Sequence, residues 1–118
     1  MAYFAIHTME KEDVARVPIP TTFMEGTYSG FDETVHEAVF FHSAIPFDKY
    51  PQLKKLRVPC WSVLVKYVGG DLDAVADECL EVADVFNADD VIRRFFEQFA
   101  ERCRRAKEQG KVILCTGD

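Results

Sequence analysis

Two stretches in the second half of this chain repeat their apolar residues every third or fourth position, and that period constrains the fold more than any other feature. Between 72 and 86 the stripe is Leu72, Val75, Ala76, Cys79, Leu80, Ala83 and Phe86; between 88 and 109 it is Ile92, Phe95, Phe96, Phe99, Cys103 and Ala106. Such spacing puts each set on one side of an α-helix, so two amphipathic helices are predicted to bury those sides in a common core. Asp71 is placed to cap the first helix and Asn87 the second, and Gly110 supplies a stop. Arg102, Arg104, Arg105 and Lys107 load the end of the second, where the helix dipole favours cations.

The first half reads less regularly. Residues 2–7, AYFAIH, have the aromatic and β-branched character of a short strand. The tail KVILCTGD reads as another, placed to pair with it. Residues 10–30 hold Pro18, Pro20, Gly26 and Gly30 and predict an irregular arm whose Ile19, Phe23, Met24 and Tyr28 must lie on something. A helix follows over 33–45, capped by Asp32 and stopped by Pro46. Its apolar residues cover two sides, because Phe40 and Phe41 point about a hundred degrees apart. Pro51 opens a short helix that ends before Pro59. Residues 60–68, CWSVLVKYV, suit helix or strand; the helical neighbours favour helix. The fold expected is mainly α, with α+β open: one compact helical domain over 1–118, with short terminal strands and an extended arm. At 118 residues the chain suits one core, not two.

The charge balance, 14 Lys+Arg against 20 Asp+Glu, leaves a formal net charge of −6 and disfavours a nucleic-acid partner. The cations at 102–107 complement a helix end without any need for DNA. No apolar run is long enough to span a membrane, and the N-terminus lacks the features of a secretory signal, so a cytoplasmic protein is expected. There Cys60, Cys79, Cys103 and Cys115, without a CxxC, read as buried thiols rather than a zinc site or disulfides.

Catalytic motifs fail one by one. His36-Glu37 opens like a zinc-binding HExxH, but position 40 is Phe and His42 is six residues on. Gly69-Gly70 precedes a helix without the lysine of a phosphate loop. The acidic pairs Asp71/Asp73, Asp77/Glu78 and Asp89/Asp90 lack the alternation of a calcium loop; they read as a solvated helix face, or as a surface for a basic protein. A Cys–His pair, Cys60 with His42 or His7, has no local signature. No catalytic residue, cofactor or metal is expected. A small Cys/His-dependent enzyme, and an immunity protein or antitoxin meeting a basic toxin, stay open as alternatives.

What remains is a surplus of rings: ten Phe, four Tyr and one Trp. Most must form the core, and those that do not fit favour a protein partner. The candidates for such a surface are Phe40, Phe41, Ile45, Phe47, Tyr50, Trp61 and Phe96. In size, acidity and layout, with its VHEAVFFHSAIPF segment and VIRRFFEQFAERCRR helix, the chain resembles the QslA-type anti-activators of LuxR-type quorum-sensing receptors. The resemblance implies a homodimer that binds the ligand-binding domain of such a receptor, covers its dimerisation surface and blocks DNA binding without touching DNA.

Overall fold

The computed structural model describes residues 2–11, 28–86 and 90–117. In chain order the elements are strand β1 (Tyr3–Met9), strand β2 (Tyr28–Asp32), helix α1 (Glu33–Phe40), a 3-10 turn (Phe47–Lys49) and a one-turn helix α2 (Pro51–Lys54). A second 3-10 turn (Cys60–Ser62) leads to strand β3 (Leu64–Tyr67), then helices α3 (Gly70–Val85) and α4 (Asp90–Glu108) and strand β4 (Val112–Gly117).

The strands form one antiparallel sheet in the order β2-β1-β4-β3. The mainly α expectation is thereby corrected: the chain is an α+β domain. Pairing puts Ile6, Cys115 and Val65 side by side across three strands, and Ile113 beside Tyr67. This face joins the α1, α3 and α4 stripes in one hydrophobic cluster, giving a helical layer on one side of a sheet. Phe40 lies at its centre, with its ring edge-on to Phe95 at 5.7 Å and to Phe96 at 6.0 Å. The other face carries Ala5, His7, Leu114, Thr116, Leu64 and Lys66.

Both stripes of the second half form the predicted helices, with shifted ends. Helix α3 starts at Gly70 on Gly69, whose φ of +53° suits a residue without Cβ. Asp71 is therefore not the cap but a first-turn acid, still favourable to the dipole. The Asn87 cap lies outside the described residues. At the end of α4, Gly110 at φ +68° lets its N–H reach Lys107 O at 3.1 Å and the Lys111 N–H reach Ala106 O at 2.7 Å, a Schellman closure.

Three further expectations are corrected. Residues 60–68 are not a helix: after the Cys60–Ser62 turn they extend as β3, because Val65 and Tyr67 face the core while Leu64 and Lys66 face out. The 33–45 helix ends at Phe40. Asp32 caps it as predicted, accepting from Val35 N–H at 3.1 Å, but the backbone leaves helical geometry at Phe41, whose φ is −111° and ψ 19° and whose N–H makes the last helical bond, to Glu37 O at 3.0 Å. His42 organises that turn, its ring Nδ1 accepting from Ala44 N–H at 3.3 Å and its carbonyl from Ile45 N–H at 3.2 Å. Finally, the arm ends early: residues 28–30 pair with β1 as part of β2. Residues 12–27 of it, with Pro18, Pro20, Ile19, Phe23 and Met24, lie outside the described residues.

Candidate protein-interaction surface

The structure divides the seven interface candidates. Phe40, Ile45, Phe47, Tyr50 and Phe96 are buried in the core, so none of them presents its side chain to a partner. Phe41 and Trp61 are exposed, at 41% and 66%. Phe40 and Phe41 thus do what their angular separation predicts, one turned inward and one outward.

The two exposed rings meet at one groove of about 620 Å³ between α1 and the Cys60–Ser62 turn. Helix α1 supplies Thr34, Glu37 and Ala38, its C-cap residue Phe41 follows on the same side, and Glu33 stands one turn before Glu37. The small side chains of Thr34 and Ala38 leave that face recessed. Pro59, Cys60 and Trp61 form the facing wall. The turn is held by Pro59 O, which accepts from both Ser62 N–H and Ser62 Oγ at 2.9 Å. Arg57 lies over the Phe41 ring, its guanidinium carbon 5.0 Å from the centroid. Neither Glu33 nor Glu37 forms an ion pair with any described residue.

Beside the groove, β3 is a sheet edge. Gly117 N–H donates to Val63 O at 2.9 Å, so the alternate residues Val63, Val65 and Tyr67 bond β4. Leu64 and Lys66 then turn their N–H and C=O groups outward. Leu64 is 66% exposed, and Val68 is exposed just beyond the strand. Sequence reasoning missed this edge, since it read 60–68 as helix.

His36, His7 and the thiols of Cys79, Cys103 and Cys115 lie outside the groove lining and are committed to the fold. His36 is buried among Phe4, Phe40 and Phe41, with ring centroids 5.1–6.0 Å apart. Its Nε2–H donates to Leu56 O at 2.8 Å, and burial lowers its pKa, more than the Leu56 carbonyl and Glu37 raise it. His7, on the outer sheet face, shares a 3.0 Å hydrogen bond with Thr116 Oγ1; burial, then Arg102, lower its pKa to about 4. All four cysteines are buried. Burial raises the Cys79 and Cys115 thiols and pushes Cys103 up to about 12, the opposite of what a thiolate nucleophile needs. No metal-sized cluster of three His, Cys, Asp or Glu occurs among the described residues, and none of their helices is long and apolar enough to cross a membrane.

An unannounced structural acid is Glu78 of α3. Its carboxylate accepts from Gln52 N–H at 3.0 Å and Leu53 N–H at 3.0 Å, capping α2 from a neighbouring helix. Thus one member of the acidic run serves the fold, not a partner. Comparison of the chain with protein families, with curated proteins and with solved structures finds no match.

Proposed function

We propose that this chain is a non-catalytic, cytoplasmic protein-binding regulator that docks its partner on the α1–Trp61 groove. The observation that carries this reading is the pairing of two exposed aromatic rings, Phe41 and Trp61, on one recessed and rigidly backed surface. Aromatic anchors of this kind dominate binding energy at protein interfaces. The resemblance of the sequence to QslA-type anti-activators suggests the partner: the ligand-binding domain of a LuxR-type receptor, covered at its dimerisation surface. A second copy of the chain would add at the β3 edge, where antiparallel pairing of Leu64 with Lys66 of the copy satisfies the outward backbone groups and keeps the two lysines apart.

The test is gel filtration of the chain with a ligand-loaded LuxR-type ligand-binding domain from the same cell. Co-elution is expected, and Trp61→Glu or Phe41→Glu should abolish it, the former without lowering the melting temperature. Failure of the wild type to co-elute, or co-elution that survives both variants, overturns the reading. Capture instead of a basic protein, lost on Asp77→Lys and at high salt, would mark an immunity-type protein acting through α3.

A further inference from the structure

We infer that the α1–Trp61 groove takes an arginine side chain of the partner, stacked on Trp61 and paired with Glu33 and Glu37; this rests on the protein-binding reading above. Trp61 is the chain's single tryptophan, and its exposed ring forms one wall of the groove. Tryptophan is the best cation–π acceptor among side chains. The opposite wall carries two carboxylates one helical turn apart, neither paired with a described residue.

An apolar knob would fit the rings but would strip water from Glu33 and Glu37 without replacing it, a costly desolvation. A guanidinium meets both demands. It is planar, stacks on an aromatic face, remains weakly hydrated and forks its N–H donors to carboxylates. The chain already makes half of this arrangement at the groove's end, where Arg57 lies on Phe41. A net charge of −6 favours the approach of a basic segment.

Trp61 is its own reporter. Its fluorescence should change saturably as N-acetyl-arginine-N-methylamide is added to the full chain. The citrulline analogue, equal in shape but uncharged, should bind at least about fivefold more weakly. Glu33→Gln/Glu37→Gln should lose the arginine preference by a similar factor while keeping the wild-type melting temperature. Equal binding of arginine and citrulline, no saturation up to the solubility limit of the probe, or an arginine preference unchanged in the double variant overturns the inference. Loss of receptor co-elution is a separate result. If co-elution persists and depends on Trp61 while the arginine probe fails, the groove binds protein by other chemistry; if neither is seen, both readings fall.

Discussion

His36 and His7 both sit where an imidazolium would be poorly solvated. His36 is ringed by phenylalanines and His7 is buried on the outer sheet face, and burial lowers the pKa of each below the ordinary 6.5. The unfolded chain takes up these protons as pH falls through about 6.5, whereas the folded chain keeps His7 neutral down to about 4. The stabilisation from each is therefore complete above the ordinary value and drains as the pH falls below it, for His7 down to about 4. A melting temperature lower at about pH 5.5 than at about pH 7 is expected, with the difference shrinking by more than half in His7→Gln/His36→Gln. An undiminished difference would place the acid sensitivity in the carboxylates. Glu78 gives a second residue-level expectation. Glu78→Ala strands two amides of α2 and should cost about 1–3 kcal/mol in denaturant unfolding, with Glu78→Gln milder because its amide oxygen still accepts. Neither role was legible in the sequence. Glu78 looks like any member of an acidic run, because the amides it caps are about 25 residues away on another element.

At the scale of elements, legibility follows the length of the pattern. Helices α3 and α4 carry their apolar period over several turns, so Leu72 to Ala83 and Ile92 to Ala106 identify them without any tertiary knowledge. Strand β3 has only four residues between Pro59 and Gly69, too few for a period to declare itself, and the partner that makes it a strand lies about fifty residues on, where Leu64 meets Thr116. Gly117 shows how closely β4 then supports the site. A Cβ built there would fall 1.6 Å from Cys60 O, so the strand end touches the backbone of the turn that carries Trp61. Gly117→Ala should destabilise by about 1–3 kcal/mol and displace the turn. The accompanying readout is Trp61 emission in the folded protein; an unchanged spectrum with unchanged stability would contradict the close approach. The β3 edge makes its own prediction. Lys66 is the only charge in the run from Trp61 to Val68, and a charge on an edge strand opposes uncontrolled pairing. Lys66→Val should promote concentration-dependent aggregation, visible by light scattering, at little change in unfolding midpoint.

For the whole molecule, the central question is how the chain divides its aromatic bulk between its interior and its surface. Ring identity alone does not encode that division: Phe40 and Phe41 are adjacent and chemically identical, and only the backbone direction at the end of α1 turns one inward. Of the residues proposed as interface from sequence, the packed sheet and helices absorb five, a larger share than the surplus-of-rings argument allowed, because four strands add a core face that a helical layout lacks. Among the described residues the exposed rings are Tyr3, Phe41 and Trp61, and the last two line the same groove. The two populations should respond to substitution in opposite ways. Phe96→Ala removes a ring packed against Phe40 and Phe95 and should cost about 3–5 kcal/mol, a large fraction of a small domain's stability. Trp61→Glu should move stability by no more than about 0.5 kcal/mol, since its ring faces solvent. Denaturant unfolding of both variants, followed by far-ultraviolet circular dichroism because one of them lacks the tryptophan, compares them directly. A Trp61→Glu loss as large as that of Phe96→Ala would make Trp61 part of the scaffold and leave the groove without its reason to be exposed. A neutral Trp61→Glu means that folding does not require a large aromatic there, which is the outcome that the proposed docking role of the groove demands.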